Sequence, residues 1–140
     1  MAGLSFEDLS VGMTAQAERT VAEADVQAFA AVSGDHNPVH LDEAYAATTP
    51  FGTRIAQGML SAGYISALIA SELPGPGAVY LGQSLSFRRP VKLGDTVTTR
   101  LEVLSLDEGK GRATLKTTCL VGGKPVIEGE ALIMVPRRAA

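Results

Sequence analysis

The sequence predicts an α+β domain in which a five-stranded antiparallel sheet wraps around one central apolar helix. Three observations carry that expectation. Residues 58–71 form an apolar run of helical length, residues 78–135 hold four alternating segments joined by glycine turns, and residues 13–21 supply one more extended segment ahead of the helices. A chain of 140 residues fits one domain spanning 1–140, long enough to bury a core without covalent staples.

The lead-in, residues 1–12, reads as a short helical or turn-like segment around Phe6-Glu7-Asp8-Leu9 that ends at Gly12. Residues 13–21 read as the first strand, because Thr and Val favour extended backbone and polar and apolar side chains alternate. Residues 22–33 place Val26, Phe29, Ala30 and Val32 at helical spacing, with Glu23 and Asp25 where the positive end of the helix dipole favours acids. Gly34 stops that helix. The run Gly34-Asp35-His36-Asn37-Pro38 is dense in turn formers, and Pro38 fixes its own backbone while pushing Asn37 out of the helical region. Residues 42–47 predict a short helix capped by Asp42, and residues 48–56 a loop.

The helix over residues 58–71 is apolar almost all round, with Met59, Leu60, Ile65, Leu68 and Ile69 on several faces, so it must be covered on most sides. Leu73-Pro74-Gly75-Pro76-Gly77 ends it. Beyond, Leu81, Leu85 and Phe87 alternate over 78–88, Val97, Leu101 and Val103 over 96–105, and Ala113, Leu115, Cys119 and Val121 over 112–121. Residues 125–135 form the last strand, and Gly109-Lys110-Gly111 and Gly122-Gly123 are hairpin turns. A helix of about 14 residues is roughly 21 Å long, and strands of similar length curl around it. That architecture is the hot-dog fold. Arg137-Arg138-Ala139-Ala140 reads as a solvated tail.

Composition removes several classes of function. A 46% hydrophobic fraction is high for a monomer in water and points to apolar surface hidden in an oligomer. Fifteen acidic against twelve basic residues, with no long basic run, argues against nucleic acid as a partner. The apolar run 56–70 is broken by Gln57, Gly58, Ser61, Gly63 and Ser66 and is shorter than the roughly 20 residues a bilayer needs, so no membrane span is expected. The first residues lack the basic start and cleavage site of a secretory signal, and a lone cysteine suits a reducing compartment; both favour the cytoplasm. Cys119 alternates with apolar residues and belongs to the core.

The chemistry gathers in residues 29–69. Asp35 and His40 stand five positions apart across a proline turn, and Gly58 opens the apolar helix: an acid/base pair beside an N–H that can bind an oxyanion. Singly, each has a plainer occupation. Asp35 and Asn37 commonly serve their own backbone in loops, a lone histidine is more often structural, and Gly58 or Ser66 alone suits helix entry and packing. His36 and His40 have a spacing that suits a metal on a helix, but Pro38 lies between them and a third ligand is lacking, so no metal is expected. Arg88, Arg89 and Lys92 are the one local basic cluster, fit for phosphates or for a solvated strand end.

Asp35-His36-Asn37-Pro38-Val39-His40 matches the D-x-N-P-x-H signature of the MaoC-like hydratases, Gly58-Met59-Leu60 the start of their central helix, and Phe87, Pro90, Val91, Gly94 and Asp95 their F-x-x-P-V-x-x-G-D segment. From about residue 6 to residue 136 the chain resembles that family, and within it the short (R)-specific enoyl-CoA hydratases that feed polyhydroxyalkanoate synthesis. The resemblance implies a hot-dog homodimer that adds water to a trans-2-enoyl thioester, giving the (R)-3-hydroxyacyl thioester. It implies no cofactor beyond the coenzyme A of the substrate. On the matching positions it makes Asp35 and His40 the catalytic pair, Gly58 the binder of the thioester carbonyl and Ser66 a support for the aspartate. It places Ile69 and Leu132 near positions that limit acyl length, and their bulk leans toward short or medium chains. The same residues leave room for a dehydratase acting on acyl carrier protein, branched or dicarboxylic thioesters, or for a non-catalytic acyl-CoA-binding module.

Overall fold

The computed structural model describes residues 3–138. A one-turn 3-10 helix, Phe6–Asp8, leads into β1 (Thr14–Thr20), α1 (Glu23–Ser33), α2 (Pro38–Leu41), α3 (Glu43–Ala46) and α4 (Gly58–Ser71). Then come β2 (Val79–Gln83), β3 (Ser86–Phe87), β4 (Thr96–Asp107), β5 (Arg112–Val121) and β6 (Lys124–Met134). All pairings are antiparallel, in the order β1-β4-β5-β6-β2, with β3 also on β6. α4 lies against the inner face of β4 and β5, which is the hot-dog arrangement.

Period-two alternation puts Val97, Leu101 and Val103 of β4, Ala113, Leu115 and Cys119 of β5, and Ile127, Ala131 and Ile133 of β6 on that inner face, all buried. From the helix side Ile65, Leu68 and Ile69 meet them. Two polar residues sit among them. Thr117 receives a 2.8 Å hydrogen bond from Gln83 Nε2, and Thr99 Oγ1 lies 3.7 Å from Cys119 Sγ, so neither hydroxyl is left dry.

Four features differ from the sequence expectation. The strand expected over 78–88 is two pieces, so the sheet has six strands rather than five. The break lies where the chain crosses β6 at Gly129, whose missing Cβ would stand 1.8 Å from the Ser84 carbonyl oxygen. Ser84 there exchanges bonds with Glu130 through its own N–H (2.9 Å) and its Oγ (3.0 Å) instead of following the ladder. Second, the 34–38 turn continues into helix: Pro38 occupies the first turn of α2, where its missing N–H costs nothing, and Asn37 Oδ1 accepts from Val39 N at 3.2 Å.

Third, α4 is covered on one side only. Ser61, Ile65, Leu68 and Ile69 are buried, whereas Gly58, Met59, Gly63, Ser66, Ala67 and Ala70 are exposed. Fourth, Arg137 and Arg138 of the expected tail are tied down. Arg137 lies over the Phe6 ring at 4.8 Å, and Arg138 N donates to Glu7 at 2.6 Å. Ala139 and Ala140 of the expected tail lie outside the described residues. Among those described, no helix is long and apolar enough to cross a membrane.

Candidate active site

Asp35 is set by the residues around it. Gly34 ends α1, Ser33 Oγ accepts from Asp35 N at 3.1 Å, and Asp35 Oδ1 accepts from Asn37 N at 3.2 Å. The side chain thereby spends one oxygen on its own turn. The other, Oδ2, faces His40 Nε2 at 3.7 Å. That is too long for a direct hydrogen bond, but a water about 2.8 Å from each atom closes a triangle on that base.

His40 is buried on the one-turn α2, and its Nδ1 lies 2.7 Å from the Ile55 carbonyl. A carbonyl only accepts, so Nδ1 carries the proton and Nε2 is the nitrogen turned toward Asp35. Ile55 is itself held: it bridges to Lys92, and its N–H donates to Val39 O at 3.2 Å. Arg54 completes the mount. Its Nε donates to the His40 carbonyl at 2.8 Å while its two terminal nitrogens clasp Glu23 of α1 at 2.6 and 2.7 Å. Those hydrogen bonds hold the Glu23 carboxyl down at about 2, against an ordinary 4.5, and raise the Arg54 guanidinium further.

Gly58 is the first residue of α4, where N–H groups lack partners within the helix and the dipole favours negative charge. The Phe87 ring packs on it so closely that a Cβ at 58 would stand 2.6 Å from the ring edge. Both line a cavity of about 540 Å³ shared with His40, Ser61, Met59 and Phe51, with Arg88 and Arg89 also in its wall. Arg88 pairs with Glu128 at 3.2 Å and Arg89 donates to Pro125 O at 3.0 Å, leaving further guanidinium donors on each.

The structure thus brings Asp35, His40 and Gly58 to one end of α4. It does not bring Ser66 there: that residue is exposed, on the face opposite Ser61, and makes no hydrogen bond to Asp35 within the chain. Ile69 is buried in the core at the far end of the helix, and Leu132 faces the outer side of β6, between the inward Ala131 and Ile133. Neither lines the cavity. His36 is exposed while His40 is buried, and among the described residues no group of three or more potential metal ligands gathers. Sequence reasoning passed over Arg54, although it is the one charged residue between Glu43 and Glu72. It also gave Phe87 no role at the site.

Residues 9–123 match the family model of the MaoC like domain. The chain is 54% identical over 133 residues to an (R)-specific enoyl-CoA hydratase of Rhodospirillum rubrum, covering 95% of this chain and 92% of that protein. It is 51% identical over 135 residues to a 3-hydroxybutyryl-CoA dehydratase of Methylorubrum extorquens, covering 96% and 86%. The fold superposes on the unliganded R-hydratase PhaJ1 of Pseudomonas aeruginosa with a TM-score of 0.92 at 54% identity, over 97% of this chain and 88% of that one. With residues 9–123 matched by the family model and relatives above 50% identical over nearly its whole length, the chain belongs to the MaoC-like domain family.

Proposed function

We propose that the protein is an (R)-specific enoyl-CoA hydratase, a hydro-lyase that adds water across trans-2-enoyl-CoA to give (R)-3-hydroxyacyl-CoA. The observation that carries this reading is Asp35 Oδ2 and His40 Nε2 facing each other at 3.7 Å, beside the cavity that Gly58 opens. A water held by both loses a proton to the pair as its oxygen bonds to C3, and the pair returns a proton to C2. H and OH add on one face, and the dyad ends in its starting state. Meanwhile negative charge on the thioester oxygen meets the Gly58 N–H at the positive end of α4. No electrons change hands, so side chains, water and the coenzyme A of the substrate suffice.

Arg88 and Arg89 would meet the coenzyme's phosphates, as their spare donors and charge suit. We further propose a homodimer. Val79, Tyr80 and Leu81 of β2 are exposed at the end of the sheet, and the small-residue face of α4 is bare. A cytoplasmic location and a supply of hydroxyacyl thioester for polyhydroxyalkanoate synthesis complete the reading, which rests there on the lone cysteine and the resemblance. The test is loss of the conjugated-thioester absorbance with crotonyl-CoA and then octenoyl-CoA, with chiral analysis of the product. Formation of the (R)-3-hydroxy product is expected; inertness toward both thioesters would refute it.

A further inference from the structure

The cavity wall contains a polar group that the fold leaves idle. Ser61 is only 1% exposed, lines the cavity with His40 and Gly58, and its Oγ is buried without a hydrogen-bond partner. A serine inside a helix ordinarily returns its hydroxyl to the carbonyl four residues back. Here that carbonyl, Gln57 O, takes the Leu60 N–H at 3.1 Å, and the Ser61 hydroxyl does not join it. The main chain is fixed from the other side, where Cys119 Sγ approaches the Ser61 carbonyl at 3.7 Å. Among the described residues three other buried polar atoms lack partners, Gln57 Oε1, Tyr64 OH and Arg112 Nε, but none belongs to a residue that lines this cavity.

A buried hydroxyl with no partner destabilises a fold, and alanine is both the better helix former and free of the cost. A ligand that supplies the partner accounts for a serine at this position. Side chains on a helix lean toward its N-terminus, so Ser61 leans over the first turn, three residues from Gly58 and its unpaired N–H. A carbonyl oxygen has two lone pairs and accepts two donors. We propose that Ser61 Oγ–H is the second donor to the thioester carbonyl oxygen, beside Gly58 N–H, and so a substrate-binding residue of this site. The assignment rests on the hydratase reading above. Both bonds strengthen as water adds at C3 and the oxygen becomes an enolate, so the hydroxyl acts on turnover more than on ground-state affinity.

The experiment compares the full-length wild type with Ser61→Ala and Ser61→Thr. Turnover of crotonyl-CoA by the wild type comes first; if no enoyl thioester is hydrated, the parent reading and this one fall together. Given turnover, Ser61→Ala is expected to lose about 10²-fold in kcat with KM changed only a few-fold. Its melting temperature should equal or exceed that of the wild type, since one orphan oxygen is gone. Ser61→Thr keeps the hydroxyl and is expected to recover most of the rate. With bound butyryl-CoA carrying ¹³C at the thioester carbon, which cannot be hydrated, the carbonyl stretch should move to higher frequency in Ser61→Ala as one hydrogen bond is lost. An unshifted stretch overturns the proposal while leaving the hydratase reading in place, whatever the rate does, because a packing role leaves the carbonyl untouched.

Discussion

Asp35 divides its two oxygens between structure and chemistry, and that division makes it separable by substitution. Asn in its place keeps an acceptor for the Asn37 N–H but presents an amide that cannot take a proton from water. Asp35→Asn is therefore expected to fold as the wild type does and to lose about 10³-fold in kcat, measured with crotonyl-CoA. A variant retaining more than about a tenth of the rate would sink the acid/base assignment. Gly58 is constrained from outside by an aromatic ring. The Cβ of Gly58→Ala would meet Phe87 at 2.6 Å, and because Phe87 is 54% exposed the ring can move outward. The variant should keep its fold and lose activity as the cavity wall shifts, with melting temperature and kcat measured on the same sample.

Between elements, Arg54 is what turns three short segments into a mount for His40. It reaches from the loop before α4 to the His40 carbonyl on α2 and to Glu23 on α1. Arg54→Lys cannot span the same three acceptors with one ammonium. Both it and Arg54→Ala should lower kcat by about 10-fold or more with KM little changed, and an unaffected kcat in Arg54→Ala would show that His40 needs no such support. Acid gives a separate handle on the same contact. The Glu23 carboxyl titrates at about 2 when folded against an ordinary 4.5, so its bond to Arg54 stabilises the fold fully above 4.5 and is lost as pH falls toward 2. The stability gap between wild type and Glu23→Gln in denaturant titrations should be full at neutral pH and close over that window. A gap unchanged near pH 2 would refute the assignment.

At the scale of the whole molecule, the exposed side of α4 and the two bare faces of β2 are what a second copy would cover. Leu81 is 40% exposed at that edge of the sheet. Leu81→Arg puts a charge where the proposed dimer is dry and should shift light scattering from dimer to monomer. Persistence of a wild-type dimer would move the interface away from β2. The sheet's inner face carries no such ambiguity. Its alternating Val, Leu and Ile side chains are covered by α4 within the one chain, so the core is complete without a partner.

How much of this was legible depends on the sequence distance over which each feature is decided. Turn chemistry, capping and period are local, so residues 34–37 announced a turn, 58–71 an apolar helix, and 96–105 and 112–121 inward-facing strands. Asp35, His40 and Gly58 could be named as a set because a five-residue turn and a helix start lie within one short stretch. What the chain order could not convey was which face of an all-apolar helix stays open, since that depends on where the sheet ends. Nor could it convey the split between β2 and β3, which follows from Ser84 crossing Gly129, or the exposure of Ser66 on the face opposite Ser61. The Arg54 clamp bridges 31 residues to Glu23, and no local propensity encodes a contact of that span. Sequence alone determined most of the helices and strands and where Asp35, His40 and Gly58 fall along them. Tertiary structure decided which side chains face one another, because only packing brings distant backbone within the few ångströms over which hydrogen bonds and close contacts act.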